Sequence, residues 1–227
     1  MTPEHHAARR TGLLVATAGG LFLSFDIPLV RLTDGSLWPV LALRSLSTFV
    51  VALLAMAAIR FLLGRRDAFV PGRAGLLAGL FYGLSTMAFV AAVYHTTTAN
   101  VVFIVAFSPM FAALLSWIFM KEVPGRSTLV TMGAMVAGVV IIVGNGLSSG
   151  HVFGDLLAVT AALLIAAGLT TARASGQPMG FVPLLASAIP AAISLVFAWP
   201  EGFAMQAPGW ALFDGLVMMP LAFWLLA

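Results

Sequence analysis

Long apolar runs separated by short polar breaks organise this chain. The runs lie near 11–31, 37–59, 74–94, 98–120, 127–146, 154–173, 180–199 and 208–227. The breaks carry turn and charge signals, among them Asp34-Gly35-Ser36, Gly64-Arg65-Arg66-Asp67, Lys121-Glu122-Val123-Pro124-Gly125, Ser175-Gly176-Gln177-Pro178 and Pro200-Glu201-Gly202. A membrane-crossing helix needs about 20 mainly apolar residues, and each run meets that length. The runs lack period-2 alternation and are rich in Ala and Leu, which argues against barrel strands. The pattern therefore predicts an all-α integral membrane protein with about eight transmembrane helices.

Composition strengthens this reading. Of 227 residues, 61% are hydrophobic and only 8% are charged, whereas an ordinary soluble domain carries about 25% charged residues. So few charges cannot cover the surface of a water-soluble globule. A soluble enzyme, a disordered chain and a nucleic-acid binder are all excluded, and the expected surroundings are a lipid bilayer. The formal charge of +3 reflects scarce acids; Lys121 is the single lysine, so no basic patch for nucleic acid is present. With no cysteine, disulfides, thiolate metal sites and cysteine nucleophiles are ruled out.

The basic residues set an orientation. Counting breaks alternately, one side carries Arg9, Arg10, Arg60, Arg65, Arg66, Arg73, Lys121, Arg126 and Arg173, and the other only Arg31. The positive-inside rule then places residues 1–10 as a cytoplasmic tail, in a multi-pass protein of the plasma membrane. A cleaved signal peptide is disfavoured, because the first run is long, lacks an A-x-A site and contains Asp26.

Three short matches recur in order. Gly12-Leu-Leu-Val-Ala-Thr-Ala18 is similar to Asp155-Leu-Leu-Ala-Val-Thr-Ala161, Pro39-Val-Leu-Ala-Leu43 to Pro183-Leu-Leu-Ala-Ser187, and Leu80-Phe-Tyr-Gly-Leu84 to Leu212-Phe-Asp-Gly-Leu216. They pair runs one and six, two and seven, three and eight. This suggests a five-helix unit used twice. A unit with an odd number of spans points the opposite way on its second use, giving an inverted repeat. The first copy spans 11–146. The second, 154–227, stops after its third helix, so the chain is expected to be truncated or incomplete.

The segment Tyr94-His-Thr-Thr-Thr-Ala-Asn100, then Ser108-Pro109-Met-Phe-Ala-Ala-Leu114, then Phe119-Met-Lys-Glu122, with Gly133 and Gly138 beyond, resembles the EamA-type domain of the drug/metabolite transporter superfamily. The resemblance covers the first repeat well and the second thinly. It implies two five-helix repeats, cytoplasmic termini, and export or occasional uptake of amino acids, metabolites or drugs. It does not imply one substrate.

Several polar residues inside the runs are candidates for chemistry. Asp26 lies five residues before Arg31, and Arg44 about seven residues into the next run. At 1.5 Å per residue both sit roughly 8–10 Å below the outer surface on adjacent antiparallel helices. Each charge alone costs about 2.5–3.5 kcal/mol or more in hydrocarbon, so pairing is the simplest remedy. A fixed ion pair that only orients two helices and a pair that opens for substrate or a proton both fit. Asp214, about six residues into the last run, needs a partner, a proton or water; a cavity lining and a shallow hydrated helix end fit equally. Tyr82, with Ser85 and Thr86, places polar groups along the third run. Asn100 is a candidate substrate donor, with Thr97 or Thr98 read as a helix cap. Pro109 is expected to kink the fourth helix and to free the Val105 carbonyl, either as a tolerated kink or as a hinge facing a cavity. Gly133/Ala137 and Ala134/Gly138 read as small-xxx-small faces for close helix packing.

No H-E-x-x-H, phosphate loop or G-x-S-x-G occurs in the sequence, so no enzymatic activity and no cofactor or metal is expected. The expectation is a secondary transporter, in the exporting direction, for small metabolites, amino acids or drugs. It would work by alternating access about glycine and proline positions, with Asp26 or Asp214 available to couple a proton. An intramembrane lipid-modifying enzyme and a non-transporting membrane partner or fragment are the alternatives. The oligomeric state is not legible.

Overall fold

The computed structural model describes residues 15, 17–62, 64 and 70–226, with side chains left undescribed at 142, 143, 145–149 and 226. The basic tail, His5, His6, Arg65 and Arg66 lie outside the described residues. Among the described residues the regular structure is helical, and the one extended pairing is an isolated antiparallel bridge between Gly35 and Met205.

The helices in chain order are α1 (17–24), α2 (Asp26–Leu32), α3 (Leu37–Leu62), α4 (Gly72–His95), α5 (Thr98–Val105), α6 (Ser108–Met120), α7 (Arg126–Ser149), α8 (Val152–Ser175), α9 (Val182–Leu185), α10 (Ala188–Glu201), α11 (Pro208–Phe213) and α12 (Met219–Leu226). A π-helical turn, Asp214–Met218, joins the last two. Among the described residues six stretches are long and apolar enough to cross a membrane: Leu37–Leu62, Gly72–His95, Thr98–Met120, Val152–Ser175, Val182–Glu201 and Pro208–Leu225. They fall on six of the eight runs. The first run begins outside the described residues. The fifth is helical over Arg126–Ser149, with a shorter apolar stretch at Arg126–Ile141. Only 28–44% of each span's apolar window is buried inside the protein. The outward side chains include Phe61, Leu62, Trp199 and Trp224, a surface that suits lipid and not water.

Four of the runs are not continuous helices, and a proline stands just beyond each break. Proline has no N–H to give the carbonyl four residues back. Pro28 follows the break at Phe25, Pro109 the break at Ala106-Phe107, Pro190 the break at Ala186-Ser187, and Pro220 the π-helical turn. Two of the orphaned carbonyls are taken up locally. Ser108 Oγ donates to the Val105 carbonyl at 2.6 Å, and the Ile189 N–H bonds the Ala186 carbonyl at 3.1 Å. The expected free Val105 carbonyl is therefore not free: the adjacent hydroxyl stands in for the missing amide.

The chain forms two compact units. Among the described residues, the first holds those up to 64 together with 179–226, and the second holds 70–178. In the first unit α3 packs against α10 and the π-helical turn. Trp38 stacks on Phe197 with ring centroids 4.6 Å apart. The loops at 33–36 and 202–207 are tied by Gln206 N–H to the Asp34 carbonyl and Ala207 N–H to the Thr33 carbonyl, both 3.2 Å. In the second unit α4 lies along α8, and Phe107, Met110 and Met132 form a small buried cluster.

At two glycines a helix comes against the backbone of another helix. A Cβ on Gly215 would overlap Ser47 Oγ and the Arg44 carbonyl oxygen, so the π-helical turn rests directly on α3. A Cβ on Gly154 would overlap the backbone of His95 and Thr96 at the end of α4. The expected small-residue face of α7 does not act this way. A Cβ on Gly133 meets nothing within 4 Å, and one on Gly138 makes ordinary contact with Phe107 and Phe103 at 3.6–3.9 Å. Space beside Gly133 is open within this chain, so its missing side chain permits no approach there.

Candidate functional site

The first unit gathers three ionisable side chains at one point. Arg44, on α3, sends Nη2 to Asp26, 2.9 Å from Oδ1 and 3.0 Å from Oδ2. Its Nε lies 2.7 Å from Asp214 Oδ2. Arg44 is 4% exposed, Asp26 5% and Asp214 0%. One guanidinium thus stands between two carboxylates, shielded from the surroundings. With all three ionised the cluster carries one negative charge in excess. Arg44 Nη1 and Asp214 Oδ1 have no hydrogen-bond partner, and neither does the neighbouring Ser45 hydroxyl. Buried polar atoms in this state are uncommon and call for an explanation.

The backbone that presents these groups is interrupted at both carboxylates. Asp26 opens α2 directly after the break at Phe25. Asp214 opens the π-helical turn, whose i→i+5 bond runs from Met219 N–H to the Asp214 carbonyl. In that register the next carbonyl, of Gly215, would look to residue 220, which is a proline without an N–H. Thr48 Oγ1 fills the place, 3.0 Å from the Gly215 carbonyl and 3.0 Å from the Arg44 carbonyl, its one proton serving either. Ser47 Oγ also donates to the Arg44 carbonyl at 2.8 Å. The π-helical turn is therefore held to α3 beside the guanidinium. Single π-turns inside α-helices occur often at functional sites.

The expected pairing of Asp26 with Arg44 is present, and Asp214 joins it. Full burial of Asp214 rules out the shallow, hydrated helix end. The other candidates lie in the second unit. Asn100 Nδ2 donates to Asp155 Oδ1 at 3.0 Å, and Thr96 Oγ1 donates to the same oxygen at 2.6 Å. Thr97 caps α5, its Oγ1 accepting from Asn100 N–H at 3.2 Å. Tyr82, half-buried on α4, sets its ring where a Cβ on Gly168 of α8 would stand 3.0 Å from it. The hydroxyls of Ser85 and Thr86 both donate to the Tyr82 carbonyl, at 2.7 and 3.0 Å. Pro109 lies in the first turn of α6, one residue after Ser108. Glu122 pairs with Arg173 at 2.8 Å in an exposed contact, of a kind that contributes little.

A family model described as the EamA-like transporter family matches residues 10–144. This protein belongs to that family. Its members are transporters and not enzymes, so the chain is a multi-pass membrane protein of the EamA transporter type. No curated protein and no solved structure matches the chain. Among the described residues no group of three or more His, Cys, Asp or Glu could hold a metal ion.

Two parts of this EamA protein's polar architecture escaped the sequence reading. Asp155 counted only as the first residue of a repeat match, because a carboxylate at the edge of a run reads as solvated. Its burial depends on α4 ending against α8 at Gly154, which no local pattern encodes. The proline-linked breaks at Phe25, Ala186-Ser187 and the π-helical turn were also missed. Here a signal existed: Pro28, Pro190 and Pro220 each stand inside an apolar run, as Pro109 does.

Proposed function

We propose that this protein is a secondary transporter carrying small metabolites out of the cell by alternating access, with Asp26, Arg44 and Asp214 as its charge-sensing element. The observation that carries the proposal is the buried cluster with one carboxylate more than its guanidinium can neutralise. An uncompensated charge in a membrane interior is costly, so the cluster favours a partner that brings positive charge. A proton on Asp26 or Asp214 is one such partner, and the ammonium of a substrate is another. The unpartnered Arg44 Nη1 and Asp214 Oδ1 add a buried donor and a buried acceptor at the same place. A zwitterion such as an amino acid supplies the complement of both, which favours amino acids over uncharged drugs.

Binding drives a conformational change only when the two states bind the ligand differently. Arg44 offers that difference, because an arriving carboxylate or a proton alters which aspartate it holds. The breaks at Phe25 and at the π-helical turn give the attached backbone room to follow. The five-helix repeat over 11–146 and its partial copy over 154–227 are the proposed frame for this motion, with the N-terminus on the cytoplasmic side.

Proteoliposomes loaded with a mixture of radiolabelled amino acids test the reading. Flux should follow an imposed pH gradient and reverse with its sign. Asp26→Asn should leave exchange between labelled and unlabelled substrate while abolishing the response to the gradient. Gradient-driven flux unchanged in both Asp26→Asn and Asp214→Asn would remove the cluster from the mechanism.

A further inference from the structure

Asp155 is a second fully buried carboxylate, in the other compact unit and outside the Arg44 cluster. It lies in the first turn of α8 and is 0% exposed. Thr96 Oγ1 and Asn100 Nδ2 both donate to its Oδ1, at 2.6 and 3.0 Å. Its Oδ2 is buried and has no hydrogen-bond partner. Among the described residues no cation pairs with it. The His95 ring is engaged elsewhere: its Nδ1 lies 2.8 Å from the Ala91 carbonyl and it stands edge-on to Phe153. One side of the carboxylate is thus satisfied twice over and the other is bare.

We propose that Asp155, with Asn100, Thr96 and the backbone at the end of α4, forms a site for a dehydrated monovalent cation, sodium above all. The oxygens such a site would draw on are hard: the bare Asp155 Oδ2, the Asn100 amide oxygen left over when its Nδ2 donates, and the His95 carbonyl, which lies against Gly154 one residue before Asp155. Hard oxygen donors suit alkali and alkaline-earth cations and not softer metals. A single formal charge matches a monovalent ion; a divalent ion would leave one positive charge uncompensated in a buried place. The approach of α8 to the His95 and Thr96 backbone is close enough to exclude a Cβ at Gly154, which disfavours an organic ammonium. A bound ion would also stabilise the junction of α4, α5 and α8, because all three elements contribute to it.

The test is thermal unfolding of the full chain in detergent, titrated with NaCl against choline chloride at constant ionic strength. Sodium should raise the unfolding temperature saturably and choline should not, since a ligand of the native state stabilises as ln(1 + [L]/Kd). Asp155→Asn keeps an acceptor for Thr96 and Asn100 but removes the charge, and the sodium response should disappear. Thr96→Val retains the carboxylate; it should shift the half-saturating sodium concentration upward about tenfold or more, and it decides the matter if Asp155→Asn does not fold. Equal unfolding temperatures in sodium and choline would overturn the proposal. So would a sodium response that survives Asp155→Asn, or survives Thr96→Val unshifted, because the ion would then sit elsewhere.

Discussion

At the scale of single residues, Arg44 has the largest consequences. Both carboxylates depend on it, so Arg44→Ala leaves two buried negative charges facing each other. Breaking a buried ion pair from one side costs about 3–5 kcal/mol, and a loss of that order is expected in detergent-solubilised protein by chemical denaturation. Removing the charges together should cost less. The triple variant Arg44→Met, Asp26→Asn, Asp214→Asn is expected to be more stable than Arg44→Ala alone, the non-additivity that neighbours in one network show. It should nonetheless lose gradient-driven transport. If the triple variant is the less stable of the two, the three side chains do not form one electrostatic unit. The pairing of Asp26 with Arg44 was legible because two charges at matching depth on adjacent helices have few other remedies. The inclusion of Asp214 was not legible, since Asp214 lies 170 residues from Arg44 along the chain and its depth alone allowed a hydrated end.

At the scale of elements, the helices meet where a side chain is missing, and sequence spacing misplaces those sites. Gly133 and Gly138 lie on a small-residue stripe, yet the glycines in backbone contact are Gly154 and Gly215. Gly215→Ala and Gly154→Ala should each destabilise by about 1–3 kcal/mol or more, the range for forcing atoms into a filled space. Gly133→Ala should be neutral or stabilising by up to about 1 kcal/mol, from helix propensity alone. Thermal shifts of the three variants in one detergent check the contrast, and an equal loss from Gly133→Ala would contradict the packing described. The broken helices follow the same logic. Each proline removes one donor, and what replaces it differs: Ser108 at Val105, Thr48 at Gly215. The first replacement is local and readable; the second comes from another helix.

At the scale of the whole molecule, the apolar outward faces and the EamA membership make a multi-pass membrane protein, while its orientation rests on the distribution of Lys and Arg. Because the native chain has no cysteine, single cysteines report sidedness without background. Ser36→Cys and Gln206→Cys, in exposed loops of one set of breaks, should react with a membrane-impermeant maleimide added to intact cells. Gly125→Cys and Gln177→Cys, exposed in the other set, should react only after permeabilisation. The reverse pattern would place the N-terminus outside.

The sequence by itself determined that the chain is helical and lives in lipid, where six of its spans fall, which family it resembles and that Asp26 needs Arg44. These follow from composition, run length and the cost of a lone charge in hydrocarbon, all of which are local or additive. The tertiary structure alone decided that Asp214 shares the guanidinium, that Asp155 is buried with one oxygen bare, and which glycines bring backbones together. Those outcomes depend on which helices become neighbours. Any apolar face satisfies another in a membrane protein, so the hydrophobic pattern that places each span says nothing about its partner.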